Sequence, residues 1–212
     1  MQTQNQKIID KNGLQIIKVN KNNFKILFDI SNTNIILPMI INFEMIQLVY
    51  KLNPNIFESV ELVNNDANNN KNGNNGNNGN NGNNGNNGNN GNNEIIIHSL
   101  LKDLFGDLGL PQFYSSIIVT KNSDNETNLI TFTCKAFDNK EQQYLYPDDA
   151  VILPINDIKI ICQIVNNHYV KIFCNVNLDD NHIFPQFAEK IIGNLIYNIF
   201  IKVKQFIENI TF

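Results

Sequence analysis

The chain has 212 residues, 42% apolar and 17% charged, with a net charge of −4. That is material for one domain with a real core. All sixteen basic residues are lysine and no arginine occurs. Arginine is the side chain that reads phosphates bidentately and stacks on bases, so direct contact with nucleic acid is not expected.

Three cysteines, Cys134, Cys162 and Cys174, share no C-x-x-C spacing, which argues against a disulfide framework and a structural zinc site. The first ten residues are polar and lack the apolar stretch of a signal peptide. No apolar run approaches the length of a membrane span. The expected compartment is therefore cytoplasmic or nuclear.

In chain order, Leu14–Val19 and Phe24–Ile30 read as strands, the second alternating Phe24, Ile26, Phe28 and Ile30 against Lys25, Leu27 and Asp29. Ile35–Leu37 reads as a short strand ending at Pro38. Residues 42–52 carry apolar side chains at helical spacing (Phe43, Ile46, Val49, Tyr50), closed before Pro54, with a strand as the alternative. From Asn64 to Asn93 the sequence collapses into N-N-G repeats. Glycine every third residue without proline does not make a collagen helix. With nothing to bury, the tract is expected to be a disordered loop spanning on the order of 30 Å.

Glu94–Leu108 reads as an amphipathic helix with Ile96, Ile97, Leu100, Leu101, Leu104 and Phe105 on one face, stopped by Gly106, Gly109 and Pro111. Strands are expected at Tyr114–Lys121 and Leu129–Phe137, with Tyr144–Leu153 extended. For the next hairpin, a three-residue loop, Asn166–Asn167–His168, pairs Ile164 with Val170, Cys162 with Ile172, and Ile160 with Cys174. A two-residue loop would mix the two faces, because a slip of one residue inverts every side chain. The last element is a long helix over about Ile183–Ile210, started near Asp179, Asp180 and Asn181. Its apolar stripe is widened by Tyr197, Phe200 and Ile201. Such a helix is either covered on two sides or offers a flank to a partner.

A search for chemistry finds little. His98, His168 and His182 sit in no cluster with carboxylates, and the cysteines alternate with apolar residues as buried, inert thiols do. Asp148–Asp149 and Asp179–Asp180 suit turns and caps. Asp103 and Asp107, four apart on the expected helix, suit a solvated face better than a cation site. No P-loop, dinucleotide fingerprint or nucleophile elbow occurs. No catalytic residue, metal or cofactor is therefore expected, and an enzyme ranks last.

The stretch S-L-L-K-D-L-F-G-D-L-G over 99–109, followed by strands at Ser115–Thr120 and Leu129–Lys135, resembles the helix–strand–turn–strand unit of the Pop5/Rpp14 protein subunits of ribonuclease P and MRP. The resemblance spans about residues 94–137 and would imply a noncatalytic ribonucleoprotein subunit in tRNA processing.

Together these readings predict one α+β domain over residues 1–212. It would hold a mostly antiparallel sheet of five to seven strands, two amphipathic helices on one face, and the 64–93 tract as an insertion. The leading functional expectation is a noncatalytic interaction subunit of an intracellular assembly, binding protein partners through Tyr197, Phe200 and Ile201 of the last helix. The alternatives are the ribonuclease P-like subunit and a START-like carrier, in which a curved sheet closed by a long C-terminal helix holds an apolar ligand.

Overall fold

The computed structural model describes residues 6–64, 93–104, 106–137, 146–179 and 186–211. The strands are β1 (Gln6–Lys11), β2 (Leu14–Asn20), β3 (Asn23–Ser31), β4 (Phe57–Asn64), β5 (Glu94–Leu101), β6 (Phe113–Asp124), β7 (Leu129–Ala136), β8 (Val151–Ile152), β9 (Ile155–Asn166) and β10 (Tyr169–Leu178). The helices are α1 (Leu37–Ile40), α2 (Phe43–Lys51) and α3 (Gln186–Glu208). The strands form one sheet in the order β1-β2-β3-β10-β9-β7-β6-β5-β4, antiparallel throughout except for β8, which pairs in parallel with β6. The fold is thus α+β and mostly antiparallel, with α2 and α3 as its two amphipathic helices.

The alternating strands form as their sequences dictate. Phe24, Ile26, Phe28 and Ile30 of β3 face Val176, Cys174, Ile172 and Val170 of β10 in register, and all eight are buried. The β9–β10 hairpin has the expected register, Ile164 with Val170, Cys162 with Ile172 and Ile160 with Cys174. The loop itself is shorter than expected, the two residues Asn167–His168, because Asn166 pairs with Tyr169 and the extra residue is Val165, a bulge in β9. Strand β1, absent from the sequence reading, turns into β2 through Asn12 (φ 53°) and Gly13 (φ 69°). That Asn-Gly pair is the two-residue turn whose left-handed residues match the twist of a hairpin.

The helices lie against the same face. Asn42 caps α2 by accepting the Glu44 N–H at 2.8 Å, and Phe43 meets the ring of Phe132 on β7 edge-on. Helix α3 packs on β1, β2, β3 and α2. Gly193 lets β1 come close, since a Cβ there would lie 3.1 Å from Ile8 Cγ2. The far end of α3 is tied by directed bonds. Buried Asn32 donates through Nδ2 to the carbonyls of Ile207 (2.7 Å) and Ile210 (2.9 Å). Lys204 Nζ donates to Asp29 O, and Lys202 Nζ to Leu52 O and Asn55 Oδ1.

Several expectations are corrected. Residues 94–101 form strand β5 rather than the first two turns of a helix, hydrogen-bonded to β4 and β6 along its length. The helical spacing misled because β5 is buried on both faces, so its apolar residues do not alternate. Asp103 lies in the turn that follows, accepting the Gly106 N–H at 2.7 Å, so no helix face joins it to Asp107. Residues 37–40 are a short helix with proline in its first turn, not a strand. Only Val151–Ile152 of the expected 144–153 strand pairs, and 144–145 lie outside the described residues. So do 183–185 at the start of the last helix, and 65–92 of the Asn/Gly tract. The residues flanking that tract are neighbours: Asn64 on β4 is the register partner of Ile95 on β5.

Candidate functional site

Between the sheet and α3 lies a hollow of 210 Å³. It is bordered by Phe24 of β3, Val49 and Tyr50 of α2, Phe57 of β4, Ser99 and Leu101 of β5, and Phe113, Ser115 and Ile117 of β6. Ile56, Leu110 and Leu153, Ile155 and Ile158 of β9, Val176 and Leu178 of β10, and five residues of α3 line it as well. Strands β3 and β4 are six places apart in the sheet. At about 4.8 Å per strand a flat sheet would hold them about 29 Å apart. Both border one small hollow, so the sheet curls around the helix.

The α3 residues on the hollow are Ile192, Leu195, Ile196, Ile199 and Phe200, all half-buried. They recur at the three- and four-residue spacing of one helix face. A neighbouring face carries Gly193, Tyr197 and Ile201, which are fully packed. Tyr197 Oη accepts from Asn12 Nδ2 at 2.7 Å, and Lys11 Nζ sits 4.1 Å from its ring centroid. Phe200 packs its ring 5.7 Å from that of Phe28. The three residues read as a partner-binding flank, Tyr197, Phe200 and Ile201, therefore face inward: two in the core and one at the hollow. The wide stripe has a cause inside the protein, because α3 must cover both a packed half and a hollow half.

The wall is almost wholly hydrocarbon. None of its described residues is charged; hydroxyls among them come from Tyr50, Ser99 and Ser115. Ser99 and Ser115 are register partners on β5 and β6, and their Oγ atoms lie 2.8 Å apart. The ring of Tyr50 meets that of Phe57 at a tilt, 4.8 Å between centroids, and Phe57 pairs with Leu101, two residues along β5 from Ser99. Burial pushes the Tyr50 phenol well above its usual range, so it stays protonated. Burial also pushes the thiols of Cys134 and Cys162 up to about 12, far from reactivity.

Alternation along β5 and β6 sends the neighbouring pair to the other face. His98 Nδ1 lies 2.9 Å from Ser116 Oγ, which is 3.2 Å from Tyr146 Oη, and Tyr146 stacks on Tyr114 at 4.1 Å. His98 is 2% exposed, with Nε2 unpartnered, and lies on strand β5. Desolvation holds its imidazole below the usual range, partly opposed by Glu61. His168 bonds the carbonyls of Asn32 and Ile35 from its turn, and His182 lies outside the described residues. Among the described residues no group of three or more His, Cys, Asp or Glu is placed to hold a metal ion. None of their helices is long and apolar enough to cross a membrane.

No protein-family model matches the chain, and no curated protein matches it. Solved structures do. The human StarD13 (DLC2) lipid transfer and protein localization domain superposes with a TM-score of 0.62 at 12% identity, covering 97% of this chain and 90% of that one. Human STARD10 gives 0.60 at 8% identity, covering 95% and 71%. A STAR-related lipid transfer protein from Xanthomonas axonopodis gives 0.60 at 9%, covering 96% and 98%. The chain has the fold of START lipid-transfer domains.

That fold overturns the resemblance to ribonuclease P subunits. The helix on which it rested is strand β5 over residues 94–101, paired with β4 and β6. It also overturns the reading of the chain as an interaction subunit docking partners through the last helix, since the residues chosen for that surface are turned inward.

Proposed function

We propose that this chain carries an apolar ligand in the hollow between the curled sheet and α3. The observation that carries the reading is the uncharged wall around 210 Å³ of space, under a helix whose inward residues are only half-buried. A dry hollow of about 150 Å³ lined by aliphatic side chains already takes up benzene. This one is larger, though below the roughly 300 Å³ at which drug-sized pockets begin. The fold supports the same reading, because the StarD13 domain named above is a lipid transfer domain. In this role the chain binds and releases its guest without altering it. No residue is assigned to catalysis, and the partner is a small molecule.

Naphthalene, a compact hydrocarbon, is a suitable first probe. Fluorescence titration of the purified chain should saturate at one molecule per chain and raise the melting temperature. Absence of saturable binding, for naphthalene and smaller hydrocarbons alike, would overturn the carrier reading.

A further inference from the structure

The hollow's chemistry narrows its guest. Each serine hydroxyl offers one donor and two acceptor positions. The Ser99–Ser115 bond consumes one donor and one acceptor, so the pair retains one O–H and further lone pairs at the border of the hollow. These groups can satisfy a hydroxyl or carbonyl oxygen. They cannot neutralise a charge: among the described residues no lysine or carboxylate borders the hollow, and the chain has no arginine at all. An ionised group moved from water into such a wall loses its hydration with no counter-charge in return. The remaining wall, from Ile117 and Ile158 to Ile199, is aliphatic or aromatic and accepts hydrocarbon of any shape that fits.

Building on the carrier reading, we infer that the ligand is a compact, uncharged lipid with one hydroxyl or carbonyl oxygen, and that the Ser99–Ser115 pair receives that oxygen. Fatty acids, amines and phospholipid headgroups are excluded from the hollow by the same wall.

Three probes on one scaffold separate these statements: naphthalene, 2-naphthol and 2-naphthoate, titrated at neutral pH against the full chain. One added hydrogen bond should make 2-naphthol bind roughly three- to tenfold tighter than naphthalene. The carboxylate should make 2-naphthoate at least about tenfold weaker than naphthalene. In the double variant Ser99→Ala/Ser115→Ala the ratio of 2-naphthol to naphthalene affinity should fall to about one. Removing both partners of a buried pair together leaves no orphaned hydroxyl, which favours folding. Naphthoate binding as tightly as naphthol would overturn the inference and leave the carrier reading standing, as would a naphthol preference that survives the double variant. Binding of none of the three would overturn the carrier reading itself. If the double variant does not fold, the naphthol-to-naphthoate ratio on the unaltered chain decides.

Discussion

Filling the hollow with protein should stabilise the chain and expel the guest at once. Leu195 and Ile199 are one turn apart on α3 and both border the hollow. Leu195→Phe with Ile199→Phe adds about 50 Å³ of side chain, roughly a quarter of the space available, and empty volume costs about 24 cal/mol per Å³. The double variant should therefore gain about 1 kcal/mol. For a domain of this size that raises the melting temperature by roughly 2–4 °C. The Ile-to-Phe change also removes a β-branched residue from a helix, which leaves the helix term close to neutral. Thermal melts followed by circular dichroism would measure the first effect, and naphthalene titration the second, with affinity falling at least about tenfold. A variant that melts several degrees lower while binding naphthalene unchanged would refute the reasoning. Overpacking of a filled core typically costs about 1–3 kcal/mol, and that outcome would mean no space exists under α3.

Two other expectations follow from the sheet. His98 is buried with its pKa depressed by desolvation, so below pH about 6.5 the unfolded chain takes up a proton that the folded chain refuses. Its contribution to stability is complete above that pH and declines as pH falls toward the folded-state pKa, by at most about 1.4 kcal/mol per unit. Urea titrations across that window should show a steeper loss for the unaltered chain than for His98→Phe, and equal slopes would contradict the assignment. Deleting residues 68–90 should leave the fold intact, since Asn64 and Ile95 at the ends of the connection are already register partners. Shortening that connection roughly fivefold gains no more than about 1.5 kcal/mol in closure entropy, and a large loss of stability would give the tract a structural role.

The legible parts of the fold are those in which burial falls on one face. Strands β3, β9 and β10 alternate, and the competing loop lengths of their hairpin could be judged by which face each would bury. Strand β5 was illegible for the opposite reason. Its inner face meets the core, and Tyr146 and Phe137 approach the outer face through Ser116 and His98. A strand covered on both sides loses its period, and only the run of three isoleucines, Ile95–Ile97, argued for extended backbone. Strand β1 was missed because its polar residues, Lys7, Asp10 and Lys11, suit the edge of a sheet. The hollow was harder still. A cavity wall and a filled core use the same aliphatic residues, so composition cannot separate them. The one clue was the excess width of the stripe on α3, which the sequence could not assign to an inside or an outside. Ser99 and Ser115 gave no sign either, since each looks like a surface residue until β5 and β6 are paired.

The bonds at the end of α3 divide the helix into unequal halves. Among the described residues, its directed ties to other elements fall at Tyr197 and beyond: to Asn12, Leu52, Asn55, Asp29, Ser31 and Asn32. Over residues 190–196, which begin the roof of the hollow, no such tie is made, and the helix rests there on apolar contact alone. Apolar contact is interchangeable: a hydrocarbon guest offers Ile192, Leu195 and Ile196 the same surface that the sheet would. An exchange of wall for guest at that end would therefore break no hydrogen bond, and the orientation-setting bonds of the helix lie at its other end.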